Sequence, residues 1–301
     1  MKLSQEDVEL FYKLYHSLQF YVNQKLKVAD DIKSPEELFK CTIEQIKKLR
    51  EGLYENPKVI DSFIAENPMN FTPDELKVIE SWKDSVKDEL LVWRYLKNYT
   101  IFLDINEPPK AYGVVALNSS FEEMIGSDLP VMVDAVLLPF KNRIVYDGIL
   151  PYYQVHFGGG MRRNFNDSYQ EAKFRYGIIT SLPLPKEQEK NDADVLRFYL
   201  KSESNREIYE EEIDRLINED RELLKIYHQE TGKVHARRYR RQLREIGVNK
   251  GWFAILEGLI VASGSTKEEL EKVLKGILPQ GKQDIVFVFQ MESNGITQLS
   301  E

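Results

Sequence analysis

One cysteine, four histidines and no long apolar run set the first limits on this 301-residue chain. Cys41 alone cannot form an intramolecular disulfide or a zinc cluster of several thiolates. A reducing cytoplasm is therefore the expected compartment, and Cys41 reads as a packed thiol on a helix. His16, His156, His228 and His235 form no His-x-x-x-His or Glu-x-x-His pair. No metal and no cofactor are expected. No segment approaches the roughly 20 apolar residues that span a bilayer. The opening MKLSQEDVELFYKLYH is charged throughout and holds no apolar signal core. No membrane association is expected. Fixed-period repeats and low-complexity tracts are missing as well. The net charge of −8 argues mildly against broad attraction to nucleic acid, yet leaves room for a local basic patch.

What is present is core-forming material. The chain carries 15 Phe, 16 Tyr and 3 Trp, and 42% of its residues are hydrophobic, which excludes disorder of the whole chain. Its length argues for two or more compact units. The first hundred residues read as helices. Ser4 with Asp7, Ser34-Pro35-Glu36-Glu37, Asn56-Pro57 and Thr72-Pro73-Asp74-Glu75 each mark a helix start. The last of these helices is expected to carry Leu76, Ile79, Val86, Leu90 and Trp93 and to end near Lys97.

Beyond it the period shortens. Residues 99–103, 111–117, 131–138 and 143–146 are rich in β-branched and aromatic side chains and read as strands. Lys141-Asn142 joins the last two as a hairpin. Ser119 or Ser120 caps a short helix holding Phe121 and Met124. A strand over 152–157 leads into Gly158-Gly159-Gly160. A helix over about 167–176 follows, and 178–182 reads as one more strand. The stretch 183–194 reads as a linker, and 194–232 as a charged helical stretch with a narrow apolar stripe that includes Ile208. In the last unit, 252–256 and 259–262 flank Glu257-Gly258 as a hairpin. Thr266 caps a helix, and 284–290 is a final strand. The reading is an α+β protein: a helical region (1–96) on a mainly antiparallel sheet unit (97–185), a charged helical connector (186–248) and a small ββαβ domain (249–301).

Two features carry possible chemistry. Gly158, Gly159 and Gly160 free the backbone to present amides, and Arg162 and Arg163 can grip an anion by bidentate hydrogen bonds. His156 stands two residues upstream and, in an extended strand, shares a face with Gly158. The bland alternative is a loop that clears space for Phe157, Phe165 and Tyr169. The second feature is Arg237, Arg238, Arg240, Arg241 and Arg244 on one helix, which can track a phosphate backbone. The favoured alternative there is Glu–Arg pairing with the acidic helix before it. Asp134, Asp147 and Asp167 are candidate carboxylates at strand ends, although Asp147-Gly148 is more simply a turn. His16 reads as a packed side chain.

The stretch VLLPFKNRIVYDGIL, followed by FGGGMRRNFNDSYQEAKFRYGIITSLP, resembles a prokaryotic protein family with an LLPF-x-x-x-I-x-YDG signature and no assigned activity. WFAILEGLIVASGSTKEELEKVLKGI with DIVFVFQ resembles a small prokaryotic domain, also without one. Neither resemblance implies catalytic residues. Three readings stay open. The leading one is a non-enzymatic binding or regulatory protein for an anionic partner, nucleic acid among the candidates. The others are an enzyme on a phosphorylated or carboxylated small molecule, using Arg162, Arg163 and His156, and a structural interaction protein.

Overall fold

The computed structural model describes residues 1–153, 155–187 and 189–292. The fold mixes α and β structure in two compact units, one up to residue 188 and one from 189 on. The first unit opens with α1 (Gln5–Leu26), a 3-10 turn (Pro35–Lys40), α2 (Ile43–Tyr54), α3 (Lys58–Glu66) and α4 (Pro73–Ser81). Ser4 accepts from the Asp7 amide, and Thr42 and Thr72 form complete capping boxes with Gln45 and Glu75, so the ends of α1, α2 and α4 are set by neighbours three residues away. Phe11, Leu14, Leu18 and Val22 follow at helical spacing and are fully buried.

The strands are β1 (Val86–Tyr95), β2 (Thr100–Asp104), β3 (Lys110–Val114), then α5 (Phe121–Ile125), β4 (Val131–Phe140), β5 (Arg143–Tyr146) and the short β6 (Tyr152–Tyr153). Their order is β1-β2-β3-β5-β4-β6, and β1 also pairs with β4. The first five strands therefore close into a barrel, with β3 and β5 parallel and the other pairs antiparallel. Closure leaves β6 as an appended edge. Lys141 and Asn142 both have positive φ, as the predicted two-residue hairpin between β4 and β5 requires. Phe121 of α5 meets Phe102 of β2 at 4.9 Å between ring centroids. The outer face of β1, β2 and β3 lies under α6 (Gly159–Arg175), where Phe165, Tyr169 and Ala172 pack on Leu91, Ile101, Leu103 and Ala111.

Several expectations are corrected. The predicted helix through Leu90 and Trp93 stops at Ser81, and Val86–Tyr95 is strand β1. Val86 and Leu90 stand four apart, which suits a helix. Pairing with both β2 and β4 overrides that local signal. Ser34 makes no side-chain cap, and the segment after it is a 3-10 turn with Cys41 extended at its end, so the buried Cys41 is not on a helix. The strand expected over 152–157 is regular only at Tyr152 and Tyr153, and Gln154 lies outside the described residues. The strand expected over 178–182 is reduced to one bridge between Ile179 and Tyr112.

The second unit holds α7 (Asp192–Tyr199), α8 (Glu203–Ile208), α9 (Glu210–Glu219) and α10 (Arg221–Glu245). The expected single charged stretch is thus broken, and Ile208 of its apolar stripe is exposed. Then come β7 (Gly251–Leu256), β8 (Leu259–Gly264), α11 (Lys267–Ile277), the single turn α12 (Gln280–Gln283) and β9 (Phe287–Met291), in the sheet order β8-β7-β9. The expected ββαβ unit is present, with Glu257 and Gly258 both at positive φ in its hairpin turn. Alternation along β7 serves two layers. Ala254 and Leu256 meet Leu270 and Leu274 of α11, while Phe253 and Ile255 join Ala236 and Tyr239 of α10.

Candidate functional site

Gly158 is the N-cap of α6, and Gly159 and Gly160 are its first residues. The helix therefore starts eight residues earlier than expected, and Arg162 and Arg163 lie in its opening turns. No glycine of the three has a left-handed φ, and a Cβ on any of them would meet nothing within 4 Å. Neither a sharp turn nor clearance for Phe157, Phe165 and Tyr169 accounts for them. Arg162 is committed: its Nη1 donates to the Leu129 carbonyl at 2.8 Å and its Nε to that of Phe157 at 3.2 Å. The side chains of Arg163 and His156 are exposed and make no hydrogen bond or ion pair among the described residues. His156 lies outside any strand, so the shared face argued from extended backbone is lost.

The arginine run is better organised. On α10, Gly232, Ala236, Tyr239 and Leu243 turn toward the sheet. At 100° per residue, Lys233, Arg237, Arg240, Arg241 and Arg244 fall within an arc of about 100° beside that buried face, along roughly 16 Å of helix. Arg238 stands off this arc. Burial first, then the charges of Arg238 and Arg206, hold His235 below its ordinary pKa. Arg240 is anchored at the edge of the stripe, with its guanidinium 5.1 Å from the Phe289 ring centre. Tyr239 donates to the Gly258 carbonyl at 2.7 Å and so serves packing.

Among the described residues, the expected pairing with a preceding acidic helix does not form. The run continues the helix that begins at Arg221. Among the described residues, its ion pairs go to Glu230 and Glu245 of α10 itself, at 2.7 Å from Lys233 and 3.8 Å from Arg241. The acidic α9 satisfies Glu219 internally through Arg215. Arg237 and Arg244 have no partner among the described residues. Lys233 is the member of the stripe that sequence reasoning missed. Its spacing four before Arg237 was the available signal.

A third cluster was hidden by distance in sequence. Arg50 of α2 donates from Nε to Asp147 Oδ2 at 2.6 Å and from Nη1 to Asp134 Oδ2 at 3.2 Å. Tyr15 donates to Asp147 at 3.4 Å, and Tyr54 donates to Tyr15 at 3.3 Å. Burial pushes Asp147 up to about 6, and the charge and hydrogen bond of Arg50 hold it back from going further. Asp147 is thus more than a turn residue: it ties the end of β5 to α1 and α2.

The barrel has the strand order of an OB barrel, β1-β2-β3-β5-β4-β1, with a helix between β3 and β4. Such barrels bind oligonucleotides and oligosaccharides on the face of strands 2 and 3. Here α6 seals that face, so strand order alone carries no function. Comparison with protein-family models, curated proteins and solved structures finds no match. Among the described residues no helix is long and apolar enough to cross a membrane.

Proposed function

We propose that this is a non-enzymatic binding protein whose second unit holds a nucleic acid by its phosphate backbone. The observation that carries the reading is the exposed cationic stripe of α10. Between Lys233 and Glu245 the chain places six lysines and arginines against one carboxylate, within a protein of net charge −8. Five of the six, all but Arg238, share one face of α10, and such a concentration is the electrostatic footprint that phosphate contacts require. Among the described residues no free aromatic ring joins the stripe, so contact is electrostatic and indifferent to base sequence. The compartment that suits a lone reduced Cys41 is the cytoplasm.

Anisotropy of a labelled single-stranded or duplex oligonucleotide, titrated with the full chain across a salt series, tests this. The Arg237→Ala/Arg241→Ala/Arg244→Ala variant should flatten the slope of log affinity against log salt by about two to three. Unchanged binding by that variant, or no binding by the wild type at low salt, rejects the reading.

A further inference from the structure

A cleft runs along the outer side of α1 in the first unit, apart from the stripe of α10. Its inner chamber is a cavity of about 190 Å3 walled by Tyr12, Tyr15, His16, Leu38, Leu49 and Ile149, with Gln19 and the Arg50-bound Asp147 also on its lining. A wider outer chamber of about 480 Å3 shares Tyr12 and His16 with it and is otherwise mostly polar. The two linings meet at Tyr12 and His16; the inner one is mostly apolar, its one carboxylate, Asp147, being held by Arg50, and the outer one carries Glu9, Lys13 and Glu36.

The inner chamber has the size of one aromatic ring: an engineered apolar cavity of about 150 Å3 takes up benzene. Its walls are largely aromatic and aliphatic. At the rim Phe39 is 81% exposed, a ring left in water that a seated ligand would cover. His16 adds a wall, and burial, against the opposing pull of Glu36, lowers its pKa and so disfavours its charged form. Gln19 is buried. Its Nε2 donates to Tyr15 at 3.0 Å, while its Oε1 accepts no hydrogen bond among the described residues. The inner chamber thus offers an unused acceptor.

The outer chamber has a sign. Lys13 is its lysine, and that ammonium is engaged with Glu75 at 2.7 Å and lies 5.1 Å from the centre of the Phe71 ring. Glu9 and Glu36 line the same chamber and are in no ion pair among the described residues. Glu9 accepts only from the neutral Gln5, at 2.9 Å. Two carboxylates outside any ion pair thus line the outer chamber, next to the aromatic-walled inner one, which is the combination that selects an ammonium group joined to a ring.

We propose that the α1 cleft binds an arylalkylamine. The ring occupies the inner chamber, a donor on the ring reaches Gln19 Oε1, and the ammonium lies between Glu9 and Glu36. The anionic ligand sought at Arg162 and Arg163 has the opposite charge. Failure here leaves the α10 reading untouched, because the residues tested are in different units.

Tyramine is the probe, compared by calorimetry and thermal shift with tyrosol (a hydroxyl in place of the ammonium) and with 3-(4-hydroxyphenyl)propanoate (a carboxylate). The full chain should bind tyramine at least fivefold more tightly than tyrosol and the propanoate most weakly of the three. Glu9→Gln/Glu36→Gln should weaken tyramine about tenfold and leave tyrosol unchanged, which also shows that the variant is folded. Ile46 also lines the inner chamber, and Ile46→Trp, which fills that chamber from its wall, should abolish both. Equal affinity for all three probes, preference for the propanoate, full tyramine affinity in the double glutamine variant, or no binding by the wild type at millimolar concentration would each overturn the proposal.

Discussion

Arg50 Nε and Asp147 Oδ2 stand 2.6 Å apart although 97 residues separate them in the chain. Both side chains are almost wholly removed from water, and Asp134 shares the guanidinium. Removing one partner of a buried pair leaves an uncompensated charge. Arg50→Met should therefore cost about 3–5 kcal/mol at pH 7. The cost should shrink toward pH 4 as Asp147 takes up a proton. Denaturant unfolding at both pH values checks this, and a loss under about 1 kcal/mol at pH 7 would count against the pair.

The same carboxyl makes a pH prediction of opposite sense to most acidic groups. Asp147 moves from 3.8 to about 6 on folding, because burial outweighs Arg50. The folded state holds this proton more tightly. Its contribution to stability is full below about pH 4 and is lost as the pH rises through 6, up to ~3 kcal/mol at 1.36 kcal/mol per unit. The wild-type profile between these values should slope more steeply downward than that of Asp147→Asn. Parallel profiles would show that Asp147 titrates normally.

Gly232 of α10 lies against Phe287. A Cβ there would sit 2.3 Å from both Phe287 Cβ and Cγ, the root of the side chain, where no flexible end can yield. Gly232→Ala gains helix propensity but forces α10 away from β9. A net loss of about 1–3 kcal/mol is expected from overpacking, read as a lower midpoint in urea. A more stable variant would show that the helix can shift freely.

Arg162 and Arg163 should behave differently. Arg162 bridges the carbonyls of Leu129 and Phe157, whereas Arg163 has no partner among the described residues. Arg162→Ala should cost about 0.5–1.5 kcal/mol, and Arg163→Ala close to nothing. Equal effects in thermal unfolding would mean that the Arg162 contacts contribute nothing.

Much of the local structure was legible because it depends on residues three or four apart. Ser4, Thr72, Ser120 and Thr266 each cap a helix by accepting an amide three positions on, whereas sequence reasoning missed the equally local Thr42–Gln45 box in favour of Ser34. Lys141-Asn142 and Glu257-Gly258 turn their hairpins because both residues of each pair take positive φ. The arginine run was equally visible, since it is contiguous.

Tertiary structure decided the rest. Val86–Tyr95 carries spacing compatible with a helix, and only its two strand partners, β2 and β4, make it a strand. The same closure turns a mainly antiparallel sheet into a barrel, through a single parallel bridge between Val114 and Ile144. Arg50, Asp134 and Asp147 are unremarkable at their separate places in the sequence and become one buried cluster once the helices lie on the barrel. The α1 cleft likewise needs walls from the 3-10 turn and from the end of β5. The sequence by itself determined the caps, the hairpins and the basic run, because hydrogen bonds between near neighbours form wherever the chain lies. Folding alone decided which charges are buried together and which carboxylates remain free, because burial depends on segments that meet only in space.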